Sequence, residues 1–223
     1  FTPFMSSSFN IVAIDGGAAT GKSSTSCAIA KALGYLHIDT GAHYRTVTFA
    51  LQKSGISPQD QDEVKNALET IGLGTSITAQ QAFLTVNGCR PHDTEIRSPE
   101  VNAVVAHFAA IASIRKFLFD YQRSQEKVAK DNGFPGLVME GRDIGSVIFP
   151  EAQHRFYLHA DAQTRALRRK KQGQTDAIQQ RDAIDASRKE APLKCPEGAT
   201  VIDTSQYSLE EVITIIIDNI QSV

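Results

Sequence analysis

Cysteine is scarce in this chain. Its 223 residues include only Cys27, Cys89 and Cys195, which lie far apart with no C-x-x-C pair. So sparse and odd a set argues against a disulfide framework and reads as reduced thiols in a cytoplasmic protein. A basic surplus is also missing: 23 Lys and Arg face 25 Asp and Glu, for a formal net charge of −2. That balance argues against a general nucleic-acid binder. No apolar run approaches the ~18 residues of a membrane span. The six histidines (37, 43, 92, 107, 154 and 159) have no metal-ligand spacing and read as structural or surface residues. Residues 1–4 lack the basic-then-apolar layout of a signal peptide. Met5 reads as the natural start, and residues 1–9 as a disordered N-terminus that begins with a tag remnant. No internal repeat or low-complexity linker appears.

What remains is an ordinary globular composition, 41% apolar and 22% charged, with ample material for a core. The length suits one α/β domain with an insertion, or at most two small domains.

One stretch organises the chain. Gly16-Gly17-Ala18-Ala19-Thr20-Gly21-Lys22-Ser23 fits the phosphate-loop pattern G-x-x-x-x-G-K-[ST]. Asn10 to Ile14 before it is a β-branched run that reads as a buried strand, and Lys22 to Leu33 after it reads as a helix. Glycines let the backbone fold back so that several N–H groups aim at one spot, where the helix N-terminus adds partial positive charge. Lys22 is expected to reach the β- and γ-phosphates of a nucleoside triphosphate, and the Ser23 hydroxyl to ligate Mg2+.

Downstream, residues 34–39 read as a second strand ending in Asp39, followed by a helix from about Ala42 to Lys53 that carries Tyr44 and Arg45. Taken alone, Arg45 could equally be a surface residue. From about 57 to 97 the β-α-β rhythm breaks: a polar helix, two β-rich runs and Asn87-Gly88, a hairpin signal, suggest a small inserted subdomain. Ser98-Pro99 starts a helix that continues to about Lys130, with a bend expected near Ala112-Ser113. Residues 136–140 form a third core strand that feeds a charged loop, Gly141-Arg142-Asp143-Ile144-Gly145, with Glu140 where such proteins often place an acid near the metal. Residues 155–159 and 199–202 read as the last strands, and Ser208 with Glu211 as a capping box. Arg181, Asp185 and Arg188 share one helical face. By itself that run reads as a solvated, ion-paired helix.

Phosphoryl transfer depends on positioning and charge neutralisation, and a transferase must exclude water. The insertion and the arginine-rich segment at 165–190 are the two pieces that could close over substrates. No N-K-x-D guanine-reading motif occurs. The residues suit a kinase with an anionic acceptor. A kinase for another small metabolite, and a slowly hydrolysing P-loop sensor, stay open on this reading.

Further residues carry a resemblance. Ile14 to Ser23, Asp39-Thr40-Gly41-Ala42-His43-Tyr44-Arg45, Asn87-Gly88, Glu95 to Val101, Gly141 to Pro150, Arg181-Asp182-x-x-Asp185-x-Ser187-Arg188, Pro192-Leu193 and Ile202-Asp203-Thr204 follow one another as in the bacterial-type cytidylate kinases. The chain resembles that family from about residue 10 to its end. The resemblance implies an α/β, three-layer P-loop fold with a five-stranded parallel sheet. It also implies an acceptor-binding insertion (57–97) with a small antiparallel sheet of its own, and a helical lid (165–192), all within a single domain over 10–223. It implies transfer of the ATP γ-phosphate, with Mg2+, to CMP or dCMP by a cytoplasmic monomer that binds neither nucleic acid nor membrane. By position, Gly16, Gly17, Ala18, Ala19, Thr20, Gly21, Lys22, Ser23 and Ser24 would hold ATP. Arg45 and Arg142 would grip the acceptor phosphate. Thr40, Arg115, Asp143 and Arg188 would read the cytosine and Arg181 with Asp185 the sugar, with Gly41 a further substrate-binding residue. Lys22, Arg142 and Arg181 would stabilise the transferring group. The chain departs from the family pattern at Gly17-Ala18, at His43, and at Ala106, where a serine is usual.

Overall fold

β1 (Asn10–Gly16) is an interior strand of the sheet and sends alternate side chains to opposite faces. Ile11 and Ala13 join one core cluster, Val12 and Ile14 another, as the period-2 geometry of a strand requires. The computed structural model describes residues 9–171 and 178–222, without the side chains of residues 178, 179 and 181. Within them the chain continues through α1 (Lys22–Leu33), β2 (Leu36–Asp39), α2 (Thr40–Lys53), α3 (Gln61–Leu68), β3 (Leu73–Thr78), β4 (Gln81–Val86) and the short α4 (Asp93–Ile96). Then follow α5 (Pro99–Ala109), α6 (Ala112–Asp131), β5 (Gly136–Gly141), a π-helical turn (Ile144–Ile148), β6 (His154–His159), α7 (Ala162–Lys171), α8 (Ile178–Ser187), β7 (Thr200–Asp203) and α9 (Leu209–Gln221).

Local chemistry accounts for many of these boundaries. Gly21 and Gly34 bracket α1 in left-handed conformations. Asp39 caps α2 by accepting from Ala42 N at 3.0 Å. Ser98 caps α5 with Pro99 at its first position, and Ser208 with Glu211 forms the capping box of α9. The expected bend falls between α5 and α6, where the chain turns by 93°. Along α9, Val212, Ile216 and Ile220 recur at helical spacing against Ile29 and Phe156, each burial contributing about 1.5–3 kcal/mol.

The sheet corrects the expected one. Among the described residues it is a single mixed sheet of seven strands in the order β3-β4-β2-β5-β1-β6-β7, not five parallel strands beside a separate small sheet. The inserted hairpin β3–β4 adds β4 in parallel to β2 through His37↔Gln81 and Ile38↔Ala82. Left apart, β2 and the hairpin would each present an open edge of unpaired amides; joining satisfies both. Asn87-Gly88 does make a tight turn, but one closed by the lone Val86–Cys89 bridge; the hairpin itself turns at Ala79-Gln80, with Ala79 at φ 53°. The expected loop after Gly141 is likewise shorter, because the π-helical turn begins at Ile144.

The hairpin also packs inward. Leu84 joins Val47, Leu51, Val64, Phe108 and Leu118 in a third apolar cluster beneath α2, α3, α5 and α6. His43, the departure on α2, is buried edge-on to Tyr121 at 5.2 Å, with no hydrogen-bond partner for either ring nitrogen among the described residues. Burial pushes its pKa down to about 4, so the imidazole stays neutral and fills space as an apolar side chain would. Among the described residues no single helix is long and apolar enough to cross a membrane.

Candidate active site

The phosphate loop spans the gap between β1 and α1. Gly16 has φ +151°, and a Cβ there would stand 2.0 Å from the Leu158 carbonyl oxygen, so only glycine fits. Thr20 Oγ1 donates to Gly17 O at 3.0 Å and Lys22 Nζ donates to the same oxygen at 2.6 Å, which folds the loop onto itself. Lys22 is buried, and burial, aided by Arg142, pulls its pKa down to about 7. Asp15 beneath the loop is pushed up to about 7 by burial, although Ile144 N and Gly145 N donate to it at 2.8 and 2.7 Å. Ser23 and Ser24 are exposed on the first turn of α1. Ser23 Oγ donates to Glu140 Oε2 at 2.8 Å, and a hydroxyl beside a carboxylate is a hard-oxygen pair of the kind Mg2+ accepts.

Beside the loop lies a cavity lined by Lys22, Ser23, Thr40, Gly41, Tyr44, Arg45, Ala106, Glu140, Arg142, Asp143, Asp185 and Arg188. Among the described residues it thus gathers seven of the nine candidate acceptor-binding residues, all but Arg115 and Arg181. Thr40 Oγ1 donates to Glu140 O at 2.8 Å, tying the start of α2 to the end of β5. Arg45, 4% exposed, donates to Asn102 Oδ1 at 2.5 Å. Arg115 is outside the cavity lining but forms a buried ion pair with Asp143 and lies over the Tyr44 ring. Burial raises the Asp143 pKa, and Arg115 and Arg188 oppose that rise. Arg142 bridges the two halves: Nη1 donates to Gly16 O at 2.5 Å and Nε to Asp185 Oδ2 at 2.8 Å. Burial would weaken its charge, but Asp185, Asp182 and Glu140 outweigh that and hold its pKa above the usual arginine value. Arg188 Nη2 sits 2.9 Å from Asp185 Oδ1. Arg181 lies on α8, and its side chain falls outside the described residues.

Several residues with no assigned role in the sequence belong here. Asp182 Oδ1 accepts from Ala18 N at 3.0 Å, while its other oxygen pairs with Arg165, so α8 is fastened onto the phosphate loop. Arg168 donates to Thr204 O at 2.7 Å and approaches Ala19 O at 3.5 Å. Arg97 donates to Asp39 Oδ2 at 2.9 Å, and both residues line the cavity. The i, i+3 spacing of Asp182 and Asp185 carried a signal for the first of these; nothing local identified Arg97.

A family model described as cytidylate kinase matches residues 12–222. The cytidylate kinase of Mycobacterium avium is 38% identical over 216 residues, covering 91% of this chain and 91% of its own. That of Ligilactobacillus salivarius is 36% identical over 221 residues, covering 94% of this chain and 96% of its own. A bifunctional pantoate ligase/cytidylate kinase of Prochlorococcus marinus is 40% identical over 222 residues, 93% of this chain, which spans 41% of that protein's length. An uncharacterized protein from Eubacterium ventriosum, of known structure, shares the fold with a TM-score of 0.50 at 11% identity, over 96% of this chain and 99% of its own. The phosphate loop, the acid–arginine cluster beside it and relatives matched over nearly the whole length converge: the chain belongs to the cytidylate kinase family.

Proposed function

We propose that the protein transfers the γ-phosphoryl group of ATP to CMP or dCMP, giving ADP and CDP or dCDP, as a monomer with a single domain over residues 10–223. The observation that carries this reading is Asp143, a carboxylate 4% exposed, paired with Arg115 and sharing one cavity with Lys22. Cytosine offers an amino donor next to acceptor atoms, so a carboxylate beside arginines matches its edge. Uracil would set a carbonyl oxygen against Asp143, acceptor to acceptor, and leave a buried charge badly paired.

The remaining roles follow from placement. The loop amides and Lys22 would bind the triphosphate. Arg45 and Arg142 would hold the acceptor phosphate, and Asp185 the sugar. Ser23 and Glu140 would hold Mg2+, which supplies charge neutralisation across the phosphate oxygens. The acceptor phosphate oxygen is already ionised near neutral pH, so no general base is required for in-line attack. Arg142 touches both the loop and Asp185, a position from which it can neutralise charge on the group in flight. The insertion at 57–97 and the lid at 165–192 would exclude water, consistent with the contacts of Arg97, Arg165 and Asp182.

The test is ADP release from MgATP with CMP, dCMP, UMP, AMP, shikimate or no acceptor in parallel. Strong stimulation by CMP and dCMP, with UMP lower by about 100-fold in kcat/KM, is expected. Equal stimulation by UMP would overturn the assignment of Asp143 to the base, and silence with every acceptor would overturn the reaction.

A further inference from the structure

Glu140 is 2% exposed, and its two carboxylate oxygens face different donors. Oε2 accepts from Ser23 Oγ at 2.8 Å, and Oε1 lies 3.0 Å from His37 Nε2, which must carry its proton to donate there. His37 is itself 8% exposed and firmly placed. It pairs with Val138 on one side and Gln81 on the other, and its backbone N–H donates to Gln80 O at 2.7 Å. Among the described residues, β4 pairs with the main sheet only at His37 and Ile38. The inserted hairpin therefore clamps the very residue that holds Glu140.

We infer that His37 is a positioning residue for the divalent cation that accompanies the donor nucleotide, fixing Glu140 so that its Oε2 and the Ser23 hydroxyl form one oxygen site. This rests on the donor-site reading proposed above. The physical need is specific. Lys22 and Arg142 both interact with Glu140, and a carboxylate held on one oxygen alone can rotate toward such cations. A donor on the second oxygen stops that rotation and keeps the first aimed at Ser23. Among the described residues, the His37 ring hydrogen-bonds with Glu140 and with no part of the phosphate loop. It acts through the acid, as partners of metal-binding carboxylates commonly do.

The test uses Mn2+ as the probe, titrated by electron paramagnetic resonance in the presence of saturating ADP, on the unmodified protein and on His37→Leu, His37→Asn and His37→Gln. Leucine removes the donor, asparagine is too short to place one at Nε2, and glutamine restores it. Loss of the outer partner should weaken Mn2+ binding about 10- to 100-fold in the first two variants, with ADP affinity in EDTA unchanged. Glutamine should recover most of the affinity. Unchanged Mn2+ affinity in the asparagine variant, or equal weakening in all three, would overturn the inference even if the leucine variant fails to fold. If the unmodified protein shows no ADP-dependent Mn2+ site, the donor-site reading falls and takes the inference with it. If that site exists but no acceptor stimulates turnover, only the acceptor assignment falls.

Discussion

The phosphate loop and the cavity beside it meet at Arg142 but are built in opposite ways. The loop is eight consecutive residues closed by its own contacts, Thr20 and Lys22 both donating to Gly17 O. The cavity draws on α2, α5, the end of β5 and α8, and opposite charges meet there only through tertiary packing. The loop's strength is pre-organised backbone, which any anion of the right shape can use. The cavity's strength is buried charge in matched pairs, which is costly to leave unmatched and therefore selective. On the proposed reading, general phosphate binding would sit in a local motif, and discrimination in the assembled region.

The sharpest way to separate the two is Asp143→Asn. The amide keeps the shape but strands the buried Arg115 charge and offers uracil a donor. Stability is expected to drop by about 3 kcal/mol, and kcat/KM for CMP by about 100-fold, with the CMP-to-UMP ratio shrinking and ADP affinity holding. Denaturant melts and acceptor kinetics check this. If ADP affinity falls in step, the two regions are one coupled unit and the comparison breaks.

The second effect centres on the loop lysine. In the free protein burial lowers the Lys22 pKa to about 7, and bound phosphates would raise it again. Above pH 7 the free lysine is then neutral while the complexed one is charged, so nucleotide binding takes up a proton. Affinity should fall as pH rises from 7 to 9, by at most about tenfold per pH unit. Calorimetry of ADP binding in buffers of different ionisation enthalpy reads the proton directly; zero uptake at pH 8 would contradict it.

Asp182→Asn probes the seam. Its carboxylate touches the amide of Ala18 from α8, so it sets negative charge where the loop would receive phosphate. The amide keeps an acceptor for Ala18 N and releases Arg165. Tripolyphosphate should then bind about 3- to 10-fold tighter, a gain of roughly 1 kcal/mol. Weaker binding would mean that the lid contact orders the loop more than its charge opposes the ligand.

The smallest effect sharpens the loop's account. Ala19 sits at φ 58°, a left-handed conformation that costs a residue with a Cβ about 1 kcal/mol. Ala19→Gly should stabilise the protein by a few tenths of a kcal/mol to about 1, seen as a higher denaturation midpoint with no change in acceptor selectivity.

Legibility in the sequence follows the same division. α1, the cap of Ser98 with Pro99, the capping box of Ser208 and Glu211, and the phosphate loop were all readable, because each is decided by residues within one or two turns of one another. The 93° bend between α5 and α6 was placed for the related reason that one continuous helix of that length was implausible. The sheet was not: which edge β4 joins depends on a register two strands share in space, and neither strand's alternation encodes it. Among site residues, Arg188 stood out on the helical face it shares with Arg181 and Asp185, and Asp143 in the charged loop after β5, but their roles, like that of Arg115, came through the family resemblance. Asp182 and Arg97 stood within matched motifs but received no role, and His37 read only as a structural or surface residue, because their partners stand far away in the chain.

The sequence alone therefore determined a strand–loop–helix unit with the phosphate-loop pattern, since glycine placement, a lysine and a hydroxyl act within a few bonds. Only the tertiary structure decided what faces it. The docking of the hairpin on β2 puts His37 against Glu140, the fastening of α8 puts Asp182 on Ala18, and the meeting of α6 with the end of β5 buries Arg115 against Asp143. These pairings join groups separated by tens to more than a hundred residues, and only the packing of apolar faces brings them within a hydrogen bond of each other.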